Sequence, residues 1–160
     1  MLNFQSMAVE QGADFNYECQ KALKYAGFEI AALEMHLEDV GITLDAVTNN
    51  RRGIAMAWEF KGSLQGKRPG LVRTDTVKKA IANGYLLSVS DMYSSHFPPL
   101  LIMCSHEPEK GDARVMLDVA LRDGILTDVV DSRNGKRLQW LANATEADIS
   151  RLLDTRRSAR

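Results

Sequence analysis

Two apolar runs separated by a turn-rich hexapeptide constrain this chain more than any other feature. The first is Ile42-Thr43-Leu44-Asp45-Ala46-Val47, the second spans Gly53 to Lys61, and Thr48-Asn49-Asn50-Arg51-Arg52-Gly53 joins them. Short runs of this kind around a polar, glycine-ended turn predict a β-hairpin. In the second run Ile54, Met56, Trp58 and Phe60 alternate with Ala55, Ala57, Glu59 and Lys61. Period two sends these sets to opposite faces of a sheet. The first set is expected to pack against a helix layer. The second carries two alanines leading up to a charged pair, which leaves room for a bound molecule.

The hairpin would bring Asp45, Glu59 and Lys61 to one small region. Two carboxylates can hold a divalent cation, and a lysine beside them can steer a water, the minimum equipment for cutting a phosphodiester. Charge is segregated around the same strand. Residues 1–50 carry eight acids and two bases, residues 51–79 eight bases and two acids, and residues 80–160 ten bases and eleven acids. The basic block is Arg51, Arg52, Lys61, Lys67, Arg68, Arg73, Lys78 and Lys79. A positive field there would attract a polyanion and fix its phosphates; the plainer reading is a solvated basic face.

A chain of 160 residues is long enough for one domain with a real core. No apolar run approaches membrane-spanning length and no secretory signal is seen. The start, Met1-Leu2-Asn3-Phe4-Gln5-Ser6-Met7, reads as the remnant of a cleavable tag ahead of a single domain over residues 8–160. Two cysteines, Cys19 and Cys104, form no disulfide framework, and their sparse use fits a cytoplasmic location.

Helical spacing of Phe15, Cys19, Ala22, Leu23 and Ala26 predicts a helix from about Asp14 to Ala26, stopped by Gly27. Residues 28–40 read either as a second helical piece, through Ile30, Leu33, Leu37 and Val40, or as extended chain. Ser63 to Arg73 is expected to be a loop. Thr74 or Asp75 would cap a helix to about Leu87, with Val77, Ala80, Ile81, Gly84 and Tyr85 inward. Leu100 to Cys104 reads as a buried strand. A helix to about Arg122, carrying Val115, Met116, Val119 and Ala120, and a strand from Ile125 to Val130 complete a parallel crossover. Thr145 would cap a last helix to about Asp154. Trp58 reads as core, and Trp140 as an anchor for the C-terminal segment.

Helix, Asp-bearing strand, Glu-x-Lys strand, helix and strand, in this order over residues 14–131, resemble the core of the PD-(D/E)XK nuclease superfamily. Phe60-Lys61-Gly62-Ser63, with Gly66-Lys67-Arg68-Pro69-Gly70 and Arg73-Thr74-Asp75-Thr76-Val77-Lys78-Lys79, is similar to small members from bacteria and their phages. The proline that precedes the family's first aspartate is replaced here by Leu44. The resemblance implies an α/β restriction-endonuclease-like core, a central mixed β-sheet flanked by helices, that hydrolyses DNA. It implies Asp45, Glu59 and the Phe60 carbonyl as ligands to Mg2+, with Mn2+ as a substitute, and Lys61 orienting the attacking water. Glu18 would complete the site through a water, with Glu34 in reserve. Arg51, Arg52, Lys67, Arg68, Arg73, Lys78 and Lys79 would face DNA. Specificity would come from the loops, from a homodimer or from a partner DNA-processing protein, without a membrane.

Two other readings stand beside this one. In one the fold serves nucleic-acid binding without cutting; in the other it acts as a scaffold in an assembly subunit. Cys104-Ser105-His106 suggests nucleophilic or metal chemistry, but a cysteine ending an apolar run is usually a small core residue, and no second cysteine pair offers a zinc site.

Overall fold

The computed structural model describes residues 4–62, 70–91 and 100–158. Helix α1 (Phe4–Ala26) leads into three strands, β1 (Glu29–Leu37), β2 (Ile42–Asn49) and β3 (Ala55–Lys61). A 3-10 turn (Gly70–Val72) precedes α2 (Thr74–Ser88); β4 (Leu100–Cys104), α3 (Asp112–Arg122), β5 (Asp128–Asp131), α4 (Gly135–Asn143) and α5 (Glu146–Arg157) follow. The five strands form one mixed sheet in sequential order. β1, β2 and β3 pair antiparallel, whereas β3, β4 and β5 run parallel. The chain is therefore α/β, with helices on both faces of the sheet.

Each face has its own core. Phe15, Cys19 and Leu23 of α1, with Leu138, Leu141 and Ala142 of α4, cover Ala46, Met56, Trp58, Phe60, Leu101 and Met103. Val77, Ala80 and Leu87 of α2, with Leu117 and Leu121 of α3, cover Leu44, Val47, Ala57, Leu100 and Ile102. The alternation predicted for β3 is thus realised, and Trp58 is fully buried. Its indole N–H donates to Thr48 Oγ1 (2.9 Å), and its ring meets Phe28 edge-on. β4 is buried at all five positions, as expected for a strand covered on both faces.

Asn50 anchors the β2–β3 hairpin. Its Oδ1 accepts from the N–H groups of Arg52 and Ile54, and its Nδ2 donates to the carbonyls of Leu141 and Ala144. One side chain therefore closes the turn and ties it to the end of α4.

Several expectations change. α1 begins at Phe4, well before the expected start at about Asp14. Residues 29–37 are a strand: the apolar positions that imitate a helix are recruited by pairing with β2. α2 is entered at Arg73 with no side-chain cap. Tyr85 is exposed, and Leu87 takes the inward place expected for it. Val115 and Val119 also face outward, because Ala113, Leu117, Ala120 and Leu121 form the buried stripe of α3. The expected Thr145 cap is present as a full capping box with Asp148. No helix among the described residues is long and apolar enough to cross a membrane.

Candidate active site

The site begins with an interruption in β2. Ile42 and Leu44 face the α2–α3 layer, yet Ala46 faces α1 and Val47 faces α2–α3 again. Two residues apart on a regular strand share a face, so the alternation breaks between Leu44 and Ala46, at Asp45. β1 shifts register between Ile30 and Ala32 and departs from strand geometry at Glu34, at the level of Asp45. The register pairs Leu33 with Ala46 and Met35 with Leu44, which sets Glu34 opposite Asp45. Glu34 has φ +50° and is the only non-glycine with positive φ among the described residues, a conformation that costs energy in most side chains.

Freed from the regular ladder, the Asp45 carboxylate reaches β3, where its Oδ2 accepts the Phe60 N–H at 2.6 Å. The Phe60 carbonyl leaves the strand on the same side as its N–H, toward Asp45. Glu59 is 1% exposed and points to the α2 side. Asn83, in the third turn of α2, donates to Glu59 Oε1. Lys61 Nζ lies 2.8 Å from Glu59 Oε2, but no donor is aligned on that oxygen for a hydrogen bond. The contact is an ion pair, and Oε2 keeps an unused lone pair in a buried setting. Burial pushes the Asp45 carboxyl above the ordinary aspartate value. The Phe60 N–H and the Lys61 charge oppose that rise, and Glu34 adds to it.

The structure therefore sets Asp45 against Phe60 and Glu59 against Lys61; Asp45 lies near Cys19 on the α1 side, Glu59 turns to Asn83 of α2, and the Lys61 charge acts on Asp45 as well. Among the described residues no group of three or more His, Cys, Asp or Glu side chains is placed to hold a metal ion. The oxygen donors on the two neighbouring strands are the Asp45 and Glu59 carboxylates and the Phe60 carbonyl. That set suits Mg2+, which takes oxygen ligands and keeps several waters.

Glu18 lies on α1, where its charge and that of Asp45 both act on the Cys19 thiol. It is half exposed and pairs with Lys21 at 3.0 Å, one turn along α1. The basic block is not one surface. Arg51 and Arg52 sit on the hairpin turn, at the opposite end of β3 from Lys61, roughly 25 Å away at strand rise. The Arg51 guanidinium packs on Gly27 and donates to the Ala26 carbonyl, closing the end of α1. Arg73 is held by Asp75 through two hydrogen bonds, and Lys78 and Lys79 are exposed on α2. Lys67 and Arg68 lie outside the described residues.

Cys104 is buried, and burial raises its thiol to about 12, so it is no nucleophile at neutral pH. His106 follows β4; its Nδ1 lies 3.1 Å from Ser105 Oγ, and its carbonyl accepts the Leu71 N–H. Asn83 was missed from sequence. Its signal is an asparagine three residues after the buried Ala80, where an unpartnered amide would be unfavourable in a helix. Comparison with family models, with curated proteins and with solved structures finds no match to this chain.

Proposed function

We propose that this protein is a Mg2+-dependent nuclease of the PD-(D/E)XK type acting on DNA. One observation carries the reading: the Asp45 carboxylate is held against the Glu59-Phe60-Lys61 strand by the Phe60 N–H, and on that strand the Lys61 ammonium meets the buried Glu59 at 2.8 Å. The order of elements supports it too: helix, three antiparallel strands, helix and a parallel strand suit a restriction-endonuclease-like core.

In this reading Asp45, Glu59 and the Phe60 carbonyl would hold the ion. When bound there, it supplies a more acidic water and positive charge facing the phosphoryl oxygens. Phe60 N–H and Asn83 fix the two carboxylates, so neither has to reorganise as charge develops. Lys61 is about one-fifth exposed and has the reach to donate to the attacking water and to a phosphate oxygen. Lys78 and Lys79, exposed on α2, would contribute to the attraction of the polyanion.

A second reading is a nuclease-fold protein that binds nucleic acid or assembles with a partner without cutting. The engagement of Glu59 by both Asn83 and Lys61 favours it. Plasmid DNA with Mg2+ separates the two. Cleavage by the intact protein, lost in Asp45→Ala, Glu59→Ala and Lys61→Ala variants that still fold, supports the enzyme. Binding without metal-dependent cleavage supports the second reading.

A further inference from the structure

Helix α1 carries two stripes. Phe15, Cys19, Leu23 and Ala26 are buried against the sheet. Glu18, Ala22 and Tyr25, spaced four and three apart, form the neighbouring stripe. With Phe15 at its inner end, that stripe lines a groove of about 770 Å3, closed on the other side by Ser105, His106 and Arg133. The volume is that of a typical ligand cleft, ~300–1,000 Å3.

The groove adjoins the candidate site. The Phe15 ring packs so closely on Gly62, the residue after Lys61, that a Cβ there would lie 2.5 Å from it. The Ser105 N–H reaches the Lys61 carbonyl at 3.4 Å. β3, β4 and β5 run parallel and end together here, and the carboxyl edge of parallel strands is where open α/β sheets bind ligands.

Its chemistry is selective. The floor is apolar, through Phe15 and Ala22. Cations stand around it: Lys24 is exposed, Lys21 is offset by Glu18, and Arg133 is offset by Asp131. Tyr25 leaves 88% of its surface in water, so its ring contributes little to the fold. An exposed ring over an apolar floor with cations beside it suits a base with its flanking phosphates. In a duplex the base faces are covered by their neighbours; in a single strand they are free to stack on such a ring.

We propose that this groove receives an unpaired strand of nucleic acid, with a base on Tyr25 and a flanking phosphate at Lys24, leading into the Lys61 site. The inference rests on the nuclease reading of that site, and it makes single strands, flaps or frayed ends the preferred substrate.

The test is fluorescence anisotropy on the full chain in EDTA, using a labelled oligothymidylate and a labelled duplex of equal length. The single strand is expected to bind more tightly. Tyr25→Ala should weaken that binding about ten-fold while leaving duplex binding and Tm unchanged, and Tyr25→Trp should preserve it. Equal affinity for the duplex, or an unaffected Tyr25→Ala variant, overturns the groove even if plasmid cleavage persists. Single-strand binding that depends on Tyr25 in a protein that never cleaves supports the groove and removes the nuclease reading alone.

Discussion

Asn83 donates its side-chain amide to Glu59 Oε1 across the interface between α2 and the sheet. Glu59 sits in the middle of the mixed sheet, 1% exposed, where a carboxylate must be compensated. Lys61 supplies charge on one oxygen and Asn83 a donor on the other. Helix α2 therefore takes part in the site, and a change there will be felt at β3.

Replacing Asn83 by alanine strips Glu59 Oε1 of its donor. An unsatisfied buried acceptor costs about 1–3 kcal/mol, more when charged, or roughly 2–12 °C in Tm for a chain of this size. Asn83→Ala is expected to unfold earlier in a thermal scan and to cleave poorly. Asn83→Asp places a second acid against Glu59, so its Tm deficit should shrink as pH falls and either acid takes a proton. A deficit that is flat with pH would show that the two carboxylates do not face one another.

Asp45 gives a pH dependence with a defined sign. Its pKa is higher in the fold than in the unfolded chain, chiefly because it is buried. Its contribution to stability is therefore fully present below the unfolded pKa and is lost as pH rises through the folded one. At neutral pH the ionised group is a cost. Asp45→Asn keeps an oxygen for the Phe60 N–H and removes the charge, so in metal-free buffer at pH 8 its Tm should rise by about 2–4 °C, with no gain at pH 3. Cleavage should be lost.

How much of this was readable from residues alone follows from which contacts are local. The hairpin was legible because Ile54 to Lys61 alternates cleanly and Asn50 sits where a turn needs it. The contacts of Asp45 with Phe60 and of Glu59 with Lys61 follow from the same hairpin, since these residues lie on its two adjacent strands. β1 was not: Ile30, Leu33, Leu37 and Val40 imitate a helix, and the kink at Glu34 breaks the alternation that would have revealed a strand. α4 was missed because its start, Gly135-Lys136-Arg137, carries no apolar signal. It is set instead by the Asn134 cap and by burial of Leu138 and Leu141. Asn83 depends on a crossover that returns α2 to the sheet, and no local pattern encodes that partner.

Glu59 and Lys61 are expected to be coupled. Removing Lys61 leaves a buried carboxylate with less compensation, and breaking a buried pair costs about 3–5 kcal/mol. The cost should be smaller here because Lys61 is partly exposed. Lys61→Met should lower Tm clearly. Glu59→Gln combined with Lys61→Met should recover most of that loss, since the charge that needed compensation is gone, while cleavage stays absent. Thermal unfolding of the two singles and the double closes the cycle; additive losses would show that the pair is not coupled in solution.

Gly62 is fixed by close approach. A Cβ at this position would lie 2.5 Å from the Phe15 ring, and that ring is buried in the α1 core. Either the ring or the strand end must move, and overpacking of this kind costs about 1–3 kcal/mol. Gly62→Ala should lower Tm and displace Lys61, its chain neighbour, so cleavage should fall further than the stability loss explains. Phe15→Leu in the same chain opens space beside position 62. The double variant is expected to regain part of the Tm lost by Gly62→Ala and part of the cleavage. No recovery of either would mean that the glycine is required by the backbone rather than by the ring.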